Sequence, residues 1–599
     1  MLFGKYVNKF YKKYWYLFIS GAIFLILVDY FQLIIPEIYG SIINELKNGT
    51  LFSDSSNELG KILNYSLQTL CVGVIMFVGR FGWRNTVFGV GVRIEADLRD
   101  DLYKKALSLD QAFYKENKTG GLMSYFTNDL EVIQRCFGQG TILIVDALFL
   151  GILAYIKMVI LSWKIALIAL IPLLTILIGS FFIERIMKRR FLARQKAYEH
   201  LSDFANENFS GISVIKAFVR ENHEARRFSE INKENKDANL RFVKISIMVD
   251  IFFTFVLTLI VAILMYFCAD QVLKGAKTVT GEEFDVGQMS ELVSYFNTLI
   301  WPMFAISQLI NLRAQGQASL KRISNILDTP VNIKDSDDVI LDSKITGDIE
   351  FRNFNFNYPD SKIDVLHNIN LHIRSGEFVG IIGRTGAGKS TFVDILLRTY
   401  NLNPGELFFD NVDIMKLPFK KVRDSIGYVP QDNFLFSDTI SNNISFAYTD
   451  LEEEKIERAA KLSDVHDNII DFKDQYKTIL GERGVTLSGG QKQRVSIARA
   501  LVKDPQILIL DDSVSAVDTK TEEEILRNLR EIRKGKTTII IAHRISTVKD
   551  LDKIVVLDNG TISGVGSHDD LLLNNKEYQD LVRLQSLERE VEGGEIDGE

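Results

Sequence analysis

The chain has 599 residues, too many for one domain at the usual size of roughly 150 residues. Hydrophobic residues make up 47% of it and charged residues 25%, an average that indicates a membrane half joined to a soluble half. The net charge of −7 argues against nucleic acid as the main partner. The N-terminal stretch is basic and then apolar, and we expect an uncleaved membrane anchor there because no small-residue cleavage site follows.

Six segments of the first half are long and apolar enough to cross a bilayer, which predicts a multi-pass protein of the cell membrane. We expect them at about Tyr14–Ile35, Ile62–Val78, Thr141–Leu161, Ile165–Ile183, Ile245–Phe267 and Met289–Ile310. The first is expected to stop at Pro36, and the sixth is expected to kink at Pro302.

Two long segments, after the second and the fourth span, look helical and are rich in Lys and Arg. The positive-inside rule places both in the cytoplasm, together with the N-terminus. Six crossings then return the second half of the chain to the cytoplasm. The tips of the two segments are expected near Asp110–Thr119 and Ser202–Gly211, where a docking knob and a plain solvated hairpin both fit the residues.

A few charged residues lie inside the predicted spans. Intramembrane charge is costly and tends to face an internal cavity. Asp29 and Asp146 are candidates for a substrate pathway or for helix pairing, whereas Asp250 and Glu291 are expected at membrane edges. The apolar spans would suit an amphipathic or cationic compound, and equally a lipid or a peptide.

The second half begins after a change in composition near residues 328–343, where apolar periodicity lapses and acidic residues gather. Beyond it, strands and helices alternate as in nucleotide-binding α/β folds. We therefore expect a six-helix α transmembrane domain at 1–325, a linker at 326–345, an α/β P-loop ATPase domain at 346–588 and an acidic tail at 589–599. The three cysteines lack metal-ligand spacing and are expected to be reduced thiols: Cys71, Cys136 and Cys268.

The motif GRTGAGKS follows an apolar run and opens into a helical pattern, which is the context of a phosphate-binding loop. Backbone N–H groups of such a loop point at phosphate oxygens, and the helix N-terminus adds partial positive charge. Lys389 is expected to reach the β- and γ-phosphates, and Ser390 to hold Mg²⁺. The predicted nucleotide-binding residues here are Gly383, Arg384, Thr385, Gly386, Ala387, Gly388, Lys389, Ser390 and Thr391.

Four later features suit the same site. Asp511 ends the apolar run ILIL and is predicted to meet Mg²⁺. Gln431 follows YVP, where its amide would reach Mg²⁺ or water. Ser488, with the N–H groups of the two glycines after it, would form a second anion site at a helix mouth. His543 ends a β-rich run and is interpreted as a γ-phosphate sensor.

These motifs together resemble an ABC-transporter ATPase, with LSGGQ at Leu487–Gln491 and SAVD at Ser515–Asp518. The preceding spans and long loops resemble the exporter architecture of that superfamily, the type IV, multidrug-exporter-like group. The resemblance implies ATP and Mg²⁺ as cofactors and adenine stacking on Tyr358. It also implies that Thr478–Gly484 senses the membrane half, that Asp518 links two nucleotide sites, and that the signature residues Ser488, Gly489, Gly490 and Gln491 contact nucleotide.

The same resemblance implies a head-to-tail dimer, in which each ATP lies between the phosphate loop of one subunit and LSGGQ of the other. Closure on ATP and release after hydrolysis would alternate inward and outward access for a small molecule, lipid or peptide in the bilayer. A soluble ATPase is disfavoured by the six spans, and an importer because importers usually carry spans and ATPase on separate chains.

One position departs from the family pattern. Asp512 stands where the family usually has Glu, which polarises the attacking water. Because Asp is one methylene shorter, a misplacement of more than about 1 Å would cost on the order of 10²-fold in rate. We expect one slow site and a different partner chain that carries Glu there. A working Asp512, a homodimeric exporter or lipid flippase, and a regulatory membrane protein are the alternatives.

Overall fold

The computed structural model describes residues 2–49, 58–117, 119–336, 338–359, 361, 363–481, 484, 486–514 and 518–594. The side chains of 58–59, 119, 172–182, 184–185, 519 and 588–594 lie outside the description. The chain divides into two compact units. The first comprises Met1–Leu109 and Tyr114–Thr329, and the second comprises Asp110–Phe113 and Pro330–Glu599.

The chain up to Asp328 is almost entirely helical. Its helices are α1 (Asn8–Lys13), α2 (Trp15–Lys47), α3 (Glu58–Trp83), α4 (Gly89–Ser108), α5 (Gln111–Glu116), α6 (Thr119–Ser124), α7 (Leu130–Phe137), α8 (Gln139–Val145), α9 (Gly151–Leu161), α10 (Trp163–Ser210), α11 (Ile212–Ala217), α12 (Glu221–Leu273) and α13 (Val286–Asp328). Short π-helical segments join α3 to α4, α6 to α7 and α8 to α9, at Arg84–Phe88, Tyr125–Asp129 and Asp146–Leu150.

Four helical stretches of the described chain are long and apolar enough to cross a membrane by length and composition. They are Trp15–Lys47, Gly60–Ser108, Gly120–Leu161 and Glu221–Leu273. The predicted fourth and sixth spans lie within α10 and α13, which have 48 and 43 residues. Since a span needs about 20 residues, the polar segments between spans are largely continuations of the same helices.

The prediction that the first helix stops at Pro36 is wrong, because α2 continues through it to Lys47. Proline leaves a carbonyl without its helical donor, and membrane helices tolerate this where neighbouring helices supply other partners. Tyr295 of α13 donates to the carbonyl of Leu33 at 3.3 Å and to Glu37 at 3.2 Å. Lys157 of α9 pairs with the same Glu37 carboxylate. These contacts hold this part of α2 against α9 and α13, whereas the carbonyl that Pro36 leaves without a helical donor is that of Gln32, four residues earlier.

The predicted tip at Ser202–Gly211 is also displaced. Residues up to Ser210 continue α10, and the turn begins at Gly211 before α11. The connection between the two long helices therefore covers 211–220. The polar residues of 202–210 are compatible with a solvated helix face, so polarity alone did not mark the turn. The other tip lies as predicted, with α5 between α4 and α6.

The second unit contains two sheets. The strands are β1 (Ile349–Asn357), β2 (Asp364–Ile373), β3 (Phe378–Gly383), β4 (Leu407–Phe409), β5 (Val412–Asp413), β6 (Ile426–Val429), β7 (Ile507–Asp511), β8 (Thr537–Ile541), β9 (Lys553–Asp558) and β10 (Thr561–Gly566). The smaller sheet is antiparallel in the order β2-β1-β4-β5. The larger has the order β10-β9-β3-β8-β7-β6, with all neighbours parallel except β10 and β9.

The helices of this unit surround the larger sheet. They are α14 (Lys389–Leu396), α15 (Phe419–Ser425), α16 (Ile440–Ile444), α17 (Glu453–Leu462), α18 (His466–Ile470), α19 (Gly489–Leu501), α20 (Thr519–Ile532), α21 (Ile545–Val548), α22 (His568–Asn574) and α23 (Lys576–Gly594). Every residue of β3, β7 and β8 is buried, as continuous apolar runs in a covered parallel sheet require. Parallel strands end at one sheet edge, so the residues after β3, β7 and β8 converge there.

Candidate nucleotide site

The loop between β3 and α14 has the backbone of a phosphate cradle. Gly386 and Gly388 have φ of 85° and 99°, in the left-handed region that favours glycine. A Cβ on Gly388 would meet the side chain of Leu366 at 2.8 Å, so the position also lacks room for a side chain. Helix α14 begins at Lys389, directly after this turn. The loop therefore presents backbone N–H groups and a helix N-terminus at the sheet edge.

Lys389 is buried inside this loop. Its Nζ donates to the carbonyl oxygens of Gly383 at 2.7 Å and Arg384 at 3.1 Å. Burial lowers the pKa of Lys389, while the negative charges of Asp512 and Asp511 oppose that shift. The lysine is thus held at the centre of the loop, within electrostatic reach of the carboxylates that follow β7.

Asp511 is the buried last residue of β7, as the sequence predicted. Burial raises the pKa of its carboxyl, and the charges of Asp512 and Asp394 raise it further. Lys389 and a hydrogen bond from the Tyr428 hydroxyl act in the opposite direction. Three carboxylates and one lysine leave an excess of negative charge, which suits a divalent cation.

Asp512 and His543 complete the group. The N–H of Asp512 donates to the carbonyl of Ile541 at 2.9 Å, and its φ of 45° lies in the left-handed region. His543 follows β8 and is exposed. Partial burial lowers the pKa of its imidazole, the charge of Lys389 lowers it further, and Asp512 opposes both. The structure therefore brings Lys389, Asp511, Asp512 and His543 together from the ends of three strands.

Other predicted residues border this group. Ser390 is exposed and Thr391 is buried at the start of α14. The hydroxyls of Tyr358 and Thr391 share a hydrogen bond of 2.8 Å. The Tyr358 ring stands edge-on to Tyr400, with centroids 5.4 Å apart. Gln431 is exposed just after β6, and its carbonyl accepts a hydrogen bond from Asn433 at 3.4 Å.

The polar side chains of the LSGGQ turn bond within the turn itself. Ser488 caps α19 reciprocally with Gln491. The Gln491 N–H donates to Ser488 Oγ at 3.3 Å, and the Ser488 N–H donates to Gln491 Oε1 at 3.0 Å. A Cβ on Gly489 would meet nothing within 4 Å among the described residues, so Gly489 faces open space beside Gly490. Among the described residues, no hydrogen bond or ion pair joins this turn to the phosphate loop.

Asp518 caps α20 by accepting from the Thr521 N–H at 3.1 Å, and this bond lowers the pKa of Asp518. Residues 515–517 of the predicted SAVD motif lie outside the described residues, as do 482, 483 and 485. Of the remaining predicted segment, Ile440 donates its N–H to the carbonyl of Thr478 at 3.0 Å.

Two residues of the site were missed in the sequence. Tyr428 hydrogen-bonds to Asp511, and Asp394 lies near enough to raise its pKa. Tyr428 lies on β6, which pairs in parallel with β7 through Val429 and Leu510. The sequence contains YVPQD but not this register, which is what brings the phenol to the carboxylate.

A resident metal would need oxygen donors beyond the protein. Among the described residues, no group of three or more His, Cys, Asp or Glu side chains is arranged to hold an ion. Mg²⁺ commonly takes one or two carboxylates together with waters and phosphate oxygens. Asp511 and Ser390 fit that partial set.

Both halves of the chain resemble known proteins. Residues 18–303 match the family described as ABC transporter transmembrane region, and residues 366–515 match the family described as ABC transporter. The chain is 35% identical over 591 residues to the probable multidrug resistance ABC transporter ATP-binding/permease protein YheI of Bacillus subtilis (strain 168), covering 98% of this chain and 99% of that one.

It is 32% identical to the multidrug resistance-like ATP-binding protein MdlA of Escherichia coli (strain K12), over 97% of this chain and 96% of that one. It is 36% identical to the ATP-dependent lipid A-core flippase of Syntrophus aciditrophicus (strain SB), over 84% and 82% of the two chains. A solved bacterial Atm1-family ABC exporter with ATP bound superposes with a TM-score of 0.76 and 25% identity, covering 95% of this chain and 98% of that one.

Proposed function

This chain belongs to the ABC transporter family, as an exporter with an ATPase domain, and we propose that it works as one slow-site half of a heterodimeric exporter. ATP hydrolysis is coupled to transport in this family. The observation that supports the specific proposal is the convergence of Lys389, Asp511 and Asp512 at one sheet edge, with Asp at the position after β7.

The residues of the loop fit ATP and Mg²⁺. Lys389 is oriented inside the loop and would transfer its donors from loop carbonyls to the β- and γ-phosphates. Ser390, Asp511 and Gln431 would hold Mg²⁺, which neutralises charge on the phosphates when bound. His543, whose lowered pKa keeps it neutral near pH 7, would donate one hydrogen bond to the γ-phosphate.

The signature turn supports dimerisation. The side chains of Ser488 and Gln491 accept from each other's backbone N–H groups, and a Cβ on Gly489 would meet open space. Among the described residues, no hydrogen bond or ion pair joins the turn to the phosphate loop of its own chain. We infer that Ser488, Gly489, Gly490 and Gln491 close over nucleotide held by a partner subunit. Tyr358 would meet adenine, and Asp518 would communicate between the two sites.

Asp512 supports the assignment of unequal sites. The residue after β7 should orient the water that attacks the γ-phosphate. The shorter Asp side chain would hold its carboxylate back from that water, and a misplacement of about 1 Å can cost 10²-fold. The partner is proposed to carry Glu at the equivalent position, so that its own site, closed by this chain's signature, hydrolyses faster.

We propose the orientation in the membrane that the charges of the loops predict. The N-terminus and the ATPase domain would lie in the cytoplasm, with the long helical extensions of α3, α4, α10 and α12 on that side. The proposed bounds are 1–325 for the transmembrane domain, 326–345 for the linker, 346–588 for the ATPase domain and 589–599 for the tail. Of the tail, 595–599 lie outside the described residues.

The transported compound is proposed to be small or amphipathic. Two relatives, from Bacillus subtilis and Escherichia coli, are named for multidrug resistance. A lipid is the second candidate, because a relative 36% identical to this chain is named as a lipid A-core flippase. A peptide has no comparable support among these relatives.

Transport in inside-out vesicles tests the export function. Vesicles carrying the assembled transporter should take up a fluorescent amphipathic dye with ATP but not without it. Removing both phosphate-loop lysines, Lys389 here and its equivalent in the partner, should abolish uptake, since neither site would hold nucleotide. Replacing the exposed Lys420 by Ala serves as the matched control and should leave uptake unchanged. Uptake of dye that persists without ATP in all variants would contradict ATP-driven export.

A further inference from the structure

A polar cavity of about 430 Å³ lies within the helices of the first unit. Residues from α2, α3, the π-helical segment Asp146–Leu150 and α13 line it. Its polar groups are the carboxylates of Asp29 and Asp146, the amides of Gln32 and Asn297, and the hydroxyl of Thr298. Both acids that the sequence singled out for a pathway thus share one cavity.

Asp29 lacks a partner for one of its oxygens. Its side chain is 4% exposed, and Oδ2 is buried without a hydrogen-bond partner among the described residues. An unpaired buried carboxylate oxygen carries a large desolvation cost. Charged groups inside membrane helices are rare and usually serve a substrate or ion pathway. Asp29 therefore lines the cavity with a carboxyl group that the described residues do not fully satisfy.

The Asp146 side chain is held in place by a hydrogen bond, unlike the unpaired oxygen of Asp29. The indole Nε1 of Trp301 donates to Asp146 Oδ2 at 2.7 Å. The carboxylate stands at the start of a π-helical segment, a local irregularity that is frequent at functional sites. Two carboxyl groups in one low-dielectric cavity cannot both ionise without repelling each other, and a cation between them favours their ionised forms.

Arg80 is the basic residue among those that line the cavity. Its side chain is exposed, and within the described chain no ion pair joins it to Asp29 or Asp146. The negative charge of the cavity is therefore not cancelled by a salt bridge.

We propose that this cavity binds the cationic end of the transported compound, a protonated amine or an onium group, with Asp29 as its counter-ion. The proposal rests on the export function proposed above. A metal ion fits less well, because no group of three ligating side chains exists among the described residues. Trp83 and Trp301 also line the cavity, and aromatic faces attract organic cations. A volume of about 430 Å³ lies at the small end of ligand sites, which suits a headgroup with one or two rings.

A binding assay without nucleotide tests this assignment. The assembled transporter in lipid nanodiscs is titrated with the one-ring benzyltrimethylammonium cation and with its neutral carbon isostere neopentylbenzene, and binding is followed by tryptophan fluorescence. The wild type should prefer the cation. Asp29→Asn should weaken cation binding by about tenfold or more, because it removes a desolvated charge partner, and should leave the neutral compound almost unaffected.

Three further variants keep the result interpretable. Asp29→Glu should retain the preference for the cation, which shows that the charge and not the exact shape matters. Arg80→Gln should strengthen cation binding, because it removes a like charge from the cavity. Asp270→Asn is the control, since Asp270 pairs with Lys274 at 2.7 Å at the end of α12, and it should change neither affinity.

Two results would overturn the assignment. The first is an equal affinity of the wild type for the cation and the neutral compound. The second is an Asp29→Asn variant that assembles normally and keeps the wild-type ratio. Because no nucleotide is present, these outcomes are separable from the export function. Charge-blind binding with intact ATP-driven uptake removes this inference alone. Charge-selective binding without ATP-driven uptake removes the proposed export, and with it the role of the bound cation as a transported compound, but leaves the cation site itself.

Discussion

The phosphate loop and the signature turn are both Gly-rich turns at helix N-termini, yet their polar groups are satisfied in opposite ways. Lys389 is buried, bonds to loop carbonyls and lies within electrostatic reach of two aspartates from another strand. Ser488 and Gln491 cap α19 between themselves and remain at the surface. One turn is integrated into a charged site of its own chain, and the other is exposed, with open space at Gly489. This contrast supports the proposal that the chain contributes halves to two different ATP sites.

Asp512 gives this contrast between the two turns a functional consequence. If the site at Lys389 hydrolyses slowly and the signature completes a faster site, damage to the two turns should have unequal effects. A homodimer of identical sites would instead suffer equally from both.

Ser488→Arg should cause the largest loss. A bulky cation at the signature would displace donors that stabilise the phosphate, and loss of one such donor costs about 10²–10³-fold in kcat. Lys389→Ala should reduce steady-state ATPase activity of the assembled transporter less, since it affects the slow site. Ser567→Arg is the matched control, because Ser567 caps α22 in the same reciprocal way with Asp570. Equal losses for Ser488→Arg and Lys389→Ala would contradict unequal sites.

Asp512→Glu should raise hydrolysis by this chain purified alone. The longer side chain would bring its carboxylate to the attacking water, and the gain is expected to reach about 10²-fold. Single-turnover ATP hydrolysis measures it, with Asp450→Glu in an exposed turn as the control. A wild-type chain that turns over fully by itself, with no change on substitution, would remove Asp512 as the cause of a slow site.

His543 should make stability depend on pH. Its folded-state pKa lies below the ordinary 6.5 because of burial and Lys389. As the pH falls below about 6.5, the unfolded state therefore takes up a proton before the folded state does. The free energy of unfolding then decreases until the pH lies below the folded-state pKa. Thermal unfolding midpoints at about pH 8 and about pH 5.5 should differ less for His543→Gln than for the wild type. An unchanged difference would show that His543 does not carry this proton linkage.

Ser488→Ala should have the smallest structural effect. Loss of the cap is expected to cost about 1 kcal/mol of unfolding free energy, and Ser567→Ala should cost the same. Denaturant unfolding compares the two, while ATPase activity should fall for Ser488→Ala alone. A parallel fall in activity for both variants would mean that the signature serine acts only through helix stability.

Much of the nucleotide site was predictable because its features are local. The phosphate loop combines an apolar strand, glycines at positive φ and a helix start within one short stretch, and the buried run before Asp511 is equally short. The six apolar segments likewise follow from composition. What the sequence did not contain was strand register, which brings Tyr428 to Asp511, and the approach of Asp394.

The membrane half was less predictable for a related reason. Proline propensity predicted an end at Pro36, but α2 continues to Lys47, and its contacts with distant residues such as Tyr295 are not evident from the local sequence. The cavity at Asp29 and Asp146 depends on residues far apart in sequence, including Trp301. A charged residue in a predicted span is a candidate functional residue. Whether its charge has a partner depends on how the helices pack.

The most direct test of unequal sites is to ask which subunit retains intact ATP during turnover. The assembled transporter is incubated with a photoactivatable azido-ATP labelled either at the α- or at the γ-phosphate, cross-linked during steady-state hydrolysis, and its subunits are separated. The account predicts that this chain keeps both labels, because the site at Lys389 and Asp512 retains ATP, whereas the partner keeps the α-label and loses the γ-label. Loss of the γ-label from both subunits to the same extent would contradict it.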